Sequence, residues 1–181
     1  MKRLAFALSM VLTAFSVQAG ERVDTNLQAK ITATLATIQS WAANPALADA
    51  VKQANTAEVA TVIHMNQAWW RDLPITDPFV HELSCNAAAK WLKSNKTAVV
   101  SEAFVSASNG TKVAFLSKTT YWSHLGRPKH DLPMQGKIWQ GKIEMDESTG
   151  VQQIQVAVPI KDTNHIIGSL VVGLNVPLMR E

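Results

Sequence analysis

The first half of the chain repeats apolar residues every three or four positions, which is the spacing of one helix face. Over 26–44 this stripe consists of Leu27, Ile31, Leu35, Ile38 and the Trp41–Ala42 pair. Pro45 interrupts the stripe and, as a residue favoured in a first helical turn, begins a second helix that runs to about Gln53. The same spacing predicts a third helix over Thr56–Trp70 and a fourth over Phe79–Lys93.

After Asn95 the pattern changes to the alternation that is typical of strands. The predicted strands are Val99–Val105, Lys112–Leu116, Gly136–Met145, Val151–Ile160 and Ile166–Val176. The Asn109–Gly110 pair between the first two favours a hairpin with a two-residue loop. The polar stretch Ser117–Gln135 contains glycine and prolines, which predicts a long irregular loop of the kind that often carries function.

Helices followed by strands predict an α+β domain. We expect a five-stranded antiparallel sheet with the long helices packed on one side. The helical part would cover 22–95 and the sheet 97–177.

The first twenty residues have the pattern of a secretory signal. Lys2 and Arg3 precede an apolar run over 4–17, and Val17 and Ala19 are the small residues that a signal peptidase reads. The run is shorter than the roughly 20 residues that cross a membrane. We predict a signal peptide over 1–19, cleaved after Ala19, and an exported domain over 20–181, which in a Gram-negative cell would be periplasmic.

Composition narrows the function classes. The chain has 181 residues, enough for one domain, with 47% hydrophobic and 17% charged residues, which predicts a folded core. The net charge is +3 without a Lys/Arg cluster, which argues against nucleic-acid binding. A single cysteine cannot form an internal disulfide or a structural zinc site. The sequence carries none of the common nucleophile, zincin, phosphate-loop or dinucleotide motifs, so we predict no enzyme and no cofactor.

Several segments, in order along the chain, resemble Cache domains, the extracytoplasmic PAS-like sensors. The pair Val156–Asp162 and Ile167–Leu174 is similar to their closing hairpin, which often reads V-P-(V/I)-x-D followed by I-G-x-L-x-x-G. Weaker similarities lie at Asn44–Leu47, Val51–Asn55, Glu102–Val105, Asn109–Ala114, Lys118–Trp122 and Asp146–Thr149. The resemblance implies a single Cache domain, with a long N-terminal helix behind the sheet and a ligand pocket on the other face.

The chain departs from the Cache pattern in its charges. Thr120 stands where an Asp is expected before the Tyr-Trp pair, and Leu125-Gly126-Arg127 replaces an acidic pair. The basic side chains of His124, Arg127, Lys129 and His130 would instead suit an anionic ligand. Most Cache domains are joined to a membrane helix and an output domain. Neither is recognised in this sequence, so we expect the chain to signal through a separate transmembrane partner.

The candidate ligand-binding residues are Trp69, Glu102, Tyr121, Trp122, His124, Arg127 and Trp139. The aromatic residues of the long loop could wall a pocket or form a lid that plugs the core. Arg127 could grip a carboxylate or phosphate, or lie solvated. Glu102 shares a strand face with Phe104; if buried it needs a partner, for which Arg127 or Lys118 is expected.

Other reactive residues have simpler interpretations. His124, His130 and Asp131 could bind a metal, but such a group in one loop is common by chance, so we predict no metal site. Cys85, one turn after His81, is expected to be a small buried residue.

Three functions remain, of which the third, an enzyme of unrecognised type, has no catalytic motif in its favour. The first is a soluble periplasmic Cache-type sensor that binds a small molecule between the sheet and the 117–135 loop and signals through a membrane partner. The second is a non-catalytic structural or interaction protein of the cell envelope with a filled pocket. The chain would be a monomer, or a homodimer through its first helix, whose stripe could be a core face or a dimer seam.

Overall fold

The computed structural model describes residues 22–56, 65–146 and 150–181. The helices are α1 Thr25–Ala42, α2 Pro45–Thr56, α3 Gln67–Asp72, α4 Pro78–Cys85, α5 Ala87–Asn95, α6 Pro128–Met134 and α7 Val176–Arg180. The strands are β1 Val100–Ala107, β2 Lys112–Phe115, β3 Trp139–Met145, β4 Gln152–Asp162 and β5 His165–Asn175.

The strands form one sheet in the order β2-β1-β5-β4-β3, and every neighbouring pair is antiparallel. This confirms the α+β class and the five-stranded antiparallel sheet. The longest strands, β4 and β5, are joined by a tight turn and lie near the centre of the sheet.

The alternation along β5 divides the apolar residues between two cores. Leu170, Val172 and Leu174 face the larger core, which α1, α2, α5 and α7 cover. Val171 faces the second core, which α3 and α4 help to close. The long helices therefore lie on one side, as predicted, while short helices cover the other.

The apolar stripe of α1 belongs to the larger core. Leu27, Ile31 and Ile38 are at most 2% exposed, and Leu35 packs against them at the edge. Because these side chains pack within the chain, the stripe is a core face, the first of its two expected roles.

The prediction of one continuous helix over Thr56–Trp70 is wrong at its C-terminal part. Residues 57–64 lie outside the described residues, but Met65 and Asn66 are not helical. The Asn66 side chain accepts a hydrogen bond of 2.9 Å from the backbone N–H of Trp69, which caps the start of a separate helix, α3.

The fourth predicted helix is two helices, because Asn86 divides it. Its backbone N–H donates to Glu82 O at the end of α4, and its side-chain oxygen accepts from Ala89 N at the start of α5. Its side-chain nitrogen also donates to Val113 O on β2, at 2.8 Å. Asparagine satisfies these backbone groups better as a cap than it would inside a helix.

The long loop is less irregular than predicted, since it contains α6. Pro128 begins this helix, and Gly136, with φ +81°, ends it. Gly136 N donates to Pro133 O and Lys137 N to Leu132 O, the two bonds of a Schellman motif.

Two smaller differences lie at turns. The β1–β2 turn is longer than predicted: Ala107 N donates to Thr111 O, so three residues rather than two lie between the bonded pair, and Gly110, at φ +79°, occupies the left-handed position. The helix α7 was not predicted; Asn175 caps it by accepting from Leu178 N.

The predicted signal peptide over 1–19 and most of the turn at Asp146–Thr149 lie outside the described residues. Within the part of the chain that is described, no helix is both long and apolar enough to cross a membrane.

Candidate functional site

The candidate site lies on the sheet face opposite α1 and α2, beneath α6 and the segment 117–127. Strand pairing arranges this face in rows that run across the sheet. The first row is polar and consists of Lys112, Ser106 and Ser169, from β2 to β5. The second row is apolar and crosses the whole sheet, with Phe115, Phe104, Val171, Ala157 and Trp139. The third row consists of Glu102 on β1, Gly173 on β5 and Gln155 on β4.

Gly173 leaves an open position in the third row. A Cβ at this residue would lie 2.4 Å from Gln153 Oε1 and 2.9 Å from Ser101 Oγ. The absence of a side chain therefore lets Gln153 reach Ser101, with a hydrogen bond of 2.7 Å, and lets Glu102 and Gln155 meet across β5.

Glu102 is a largely enclosed carboxyl group whose partner differs from the expected one. Gln155 Nε2 donates to its Oε2 at 2.6 Å, and Gln155 Oε1 accepts from Lys129 on α6. Burial raises the pKa of Glu102, while the bond from Gln155 and the charge of Lys129 oppose that rise.

Neither Arg127 nor Lys118, the partners expected for Glu102, contacts its carboxyl group in this way. The Lys118 amine donates instead to Trp70 O at 2.7 Å and to Leu73 O at 2.6 Å, at the end of α3.

Lys112 is the most enclosed lysine of the site, at 3% exposure. Its amine donates to Nδ1 of His124 and to Ser106 Oγ, and lies 4.4 Å from the centre of the Phe104 ring. Burial lowers the pKa of Lys112 well below its ordinary value; the charge of Glu102 opposes this, and Lys129 and Arg127 lower the pKa further. Burial and the neighbouring cations likewise lower the pKa of His124 to about 2, so this imidazole is an uncharged acceptor.

Four side chains form a stack from the sheet outward. The His124 ring lies parallel to Phe104, with centres 4.8 Å apart, and Tyr121 meets His124 edge-on at 5.9 Å. The Arg127 guanidinium then lies 3.8 Å above the Tyr121 ring. Three sequence-predicted residues, Tyr121, His124 and Arg127, are thus brought together above β1.

The helix α6 is anchored to the sheet through His130. Its ring nitrogens contact Ser169 Oγ at 2.8 Å and the Ser108 carbonyl at 3.2 Å. Asp131 accepts from Gly126 N. These residues have protein partners, and no group of three metal-ligating side chains occurs in the ranges that the structure describes.

The tryptophans of the candidate set take different places. Trp122 is 4% exposed and packs against Trp70 at 5.2 Å and Phe79 at 5.6 Å, inside the second core. Trp139 is half-buried at the other end of its row, 5.9 Å from the Lys129 amine. Trp69 is 45% exposed on α3. Among the described residues, Trp69 forms no ring pair and no side-chain hydrogen bond with another candidate.

Sequence reasoning missed Lys112 and Gln155, and left Lys129 outside the candidate set. The signal that could have found the first two is strand register, because Lys112 faces Ser106 and Gln155 lies two strands from Glu102. That register depends on bulges at Val105–Ser106 and Val100–Glu102, which alternation alone does not fix.

Two surface depressions lie away from this site. One, of about 760 Å³, runs along the start of α1 and is lined by residues from Val23 to Ala33. The other, of about 210 Å³, lies between the end of α1 and β4. Neither is lined by Glu102, Lys112 or the side chains bonded to them, and the stack that begins at Phe104 occupies the space over that part of the sheet.

No protein-family model matches the sequence, and comparison with curated proteins gave no significant match. Among solved structures, the sensor domain of the V. cholerae histidine kinase DctB is similar at a TM-score of 0.50 and 16% identity, over 84% of this chain and 53% of that one. The E. coli DcuS sensor domain is similar at a TM-score of 0.50 and 14% identity, over 87% of this chain and 96% of that one.

The chain thus spans about half of the DctB sensor domain and almost all of the DcuS sensor domain. At this level of identity the likeness concerns the fold, which is that of Cache, or PDC-type, sensor domains. The expected resemblance is confirmed at the level of fold.

Proposed function

We propose that this protein is a non-catalytic ligand-binding sensor domain that takes a small anion between its sheet and the 117–135 segment. The observation that carries the proposal is the cluster of basic side chains there: Arg127 lowers the pKa of Lys129, and both of these residues lower the pKa of Lys112. Cations held close together in a poorly solvated place bind an anion favourably, because it relieves their repulsion.

The candidate residues have defined tasks in this proposal. Arg127 and Lys129 would hold the anion, Tyr121 and Trp139 would wall the site, and His124 would form part of its floor. Glu102 would orient Lys129 through Gln155, which touches both. Trp122 would support the wall from the core.

The sensing role rests on the fold alone, which DctB and DcuS sensor domains share. We further propose that the protein is exported to the periplasm by the 1–19 signal and acts through a separate membrane partner. Ligand binding would act by ordering the 117–135 segment, which requires different affinities for two states of that segment.

A second candidate is a non-catalytic structural or interaction protein of the cell envelope. It is favoured by the stack of Phe104, His124 and Tyr121, which occupies space that a ligand would need. The two candidates differ in whether this stack yields to a ligand.

A thermal-shift screen of the protein against organic acids, amino acids, amines and purines tests the proposal. A ligand at about a hundred times its Kd should stabilise the fold by about 2.7 kcal/mol, which raises Tm by about 5 °C or more. The shift should be lost in Arg127→Ala and kept in Lys90→Ala, a change on the exposed face of α5. A cooperative melt that no compound shifts would overturn the proposal and favour the second candidate.

A further inference from the structure

The Lys112 amine lies in a setting without a charged partner in contact. Its neighbours are the His124 imidazole, the Ser106 hydroxyl at 3.4 Å and the Phe104 ring. These groups accept hydrogen bonds or attract a cation weakly, but none carries a negative charge. A buried ammonium normally needs such a charge.

The charged and titratable groups that face this amine are mostly basic. Arg127 and His124 come from the segment after β2, Lys129 and His130 from α6, and Glu102 from β1. Glu102 is the one acidic group among these; it raises the pKa of Lys112 against the larger effect of burial, but its carboxyl group bonds Gln155 and does not contact the amine. Glu144, on β3, raises the pKa of Lys129.

We propose that an anion bound between the sheet and α6 brings a proton with it, which charges the Lys112 amine. This inference rests on the proposed function, since it assumes that the anion binds there. Without the anion, burial favours the uncharged amine, which donates to His124; with the anion, the missing negative charge is supplied and the ammonium is favoured.

The coupling must be reciprocal: the anion raises the affinity of the amine for the proton by the same factor as the proton raises the affinity for the anion. Above the pH at which the anion-free amine takes up its proton, the affinity for the anion should therefore fall as the pH rises, by up to about tenfold for each pH unit. Such a sensor would respond to an anion more strongly in acidic surroundings.

The test follows the ε-carbon signals of ¹³C-labelled lysines by NMR over a pH range. Sodium acetate, as the probe anion, is compared with sodium chloride at equal ionic strength. Lys112→Met identifies the Lys112 signal, and Lys112→Arg serves the same purpose if the first variant does not fold. Lys90→Met, on α5, identifies an exposed reference lysine. The Tm of the same samples reports whether acetate binds.

In chloride, the Lys112 signal should titrate at least about one pH unit below that of Lys90. Acetate should raise that midpoint by about one unit or more, a tenfold change in the protonation equilibrium, and raise Tm.

Two results would overturn the inference and leave the proposed function standing. One is a Lys112 signal that already titrates with Lys90 in chloride. The other is an acetate-induced rise in Tm without movement of the Lys112 midpoint. Failure of acetate, formate, malonate and glutamate alike to raise Tm would instead overturn anion binding, and the inference with it.

Discussion

Gln155 on β4 donates a hydrogen bond of 2.6 Å to Glu102 on β1, although β5 runs between the two strands. The residue between them in the row is Gly173. With no side chain in that position, the two polar groups reach across the central strand, and Gln155 passes the contact on to Lys129. The absence of a side chain at Gly173 thus leaves room for the hydrogen bonds that join β1 to α6.

Gly173→Ala should destabilise the protein by about 1–3 kcal/mol, the usual cost of adding a methyl group to a packed region. The new Cβ would lie 2.4 Å from Gln153 Oε1, 2.9 Å from Ser101 Oγ and 3.1 Å from Glu102 Cβ. Gln153 would have to move and lose its bond to Ser101. Urea unfolding of both proteins measures the difference.

Gly141→Ala, on the edge strand β3, is the matched control. Its Cβ would meet the end of the Trp139 ring, at 2.9 Å, where a half-buried side chain can shift. This substitution should change the free energy of unfolding by less than about 1 kcal/mol in either direction. A Gly173→Ala protein as stable as the wild type would show that the row has room for a side chain.

The loss of stability in acid should depend on His124. Burial and neighbouring cations hold its pKa near 2 in the folded protein, against an ordinary value of 6.5. Between these values the unfolded chain binds the proton and the folded one does not. Stability from this group is therefore complete above pH 6.5 and falls by about 1.4 kcal/mol for each pH unit well below it.

The variant His124→Gln keeps an acceptor for Lys112 but cannot take up this proton. Urea unfolding of both proteins at several pH values between about 6 and 5 gives the free energy of unfolding as a function of pH. It should rise less steeply with pH in the variant, by the equivalent of about one bound proton. Glu102 contributes a dependence of opposite sign, because its pKa is raised, but it does so in both proteins. Equal slopes would mean that His124 titrates alike in the folded and unfolded chains.

Asn86→Ala should cost about 2 kcal/mol of stability, because one side chain satisfies groups on two elements. It would leave Ala89 N without its cap and Val113 O without its donor. Asn95→Ala, which removes an exposed bond within α5, should cost under about 0.5 kcal/mol. Similar values for the two variants, from chemical denaturation, would argue against the double role of Asn86.

The difference between the predicted and observed helices has the same origin. Apolar spacing continues through Asn86, so a pattern of three and four residues cannot reveal that its side chain caps a second helix. By contrast, the stripe that begins at Leu27 and the alternation along β4 and β5 report which face is buried. Such a pattern depends only on the element that carries it, and α1, β4 and β5 lie where the pattern predicted them.

The candidate site was harder to predict, because its contacts join distant parts of the chain. Tyr121, His124 and Arg127 lie close in sequence and were found together in one stack. The pairing of Lys112 with His124, and of Glu102 with Gln155, depends on the order of strands and on two bulges. A strand with one bulge reverses the faces of all later residues, so alternation alone could not place these groups.

The location of the ligand is the central claim, and the chain's six tryptophans can test it directly. Each indole N–H gives its own NMR signal. Trp139 lies in the site, whereas Trp41 and Trp91 pack together 5.8 Å apart on the opposite side of the sheet. Trp69, exposed on α3, reports whether that helix takes part.

The measurement is a titration of the ¹⁵N-labelled protein with the strongest organic-acid hit of the thermal screen, with each indole signal assigned by a Trp→Phe variant. The account predicts that the Trp139 signal moves with saturation while the signals of Trp41 and Trp91 stay in place. Movement of Trp41 and Trp91 with an unchanged Trp139 would contradict it and place the ligand on the helical side of the sheet.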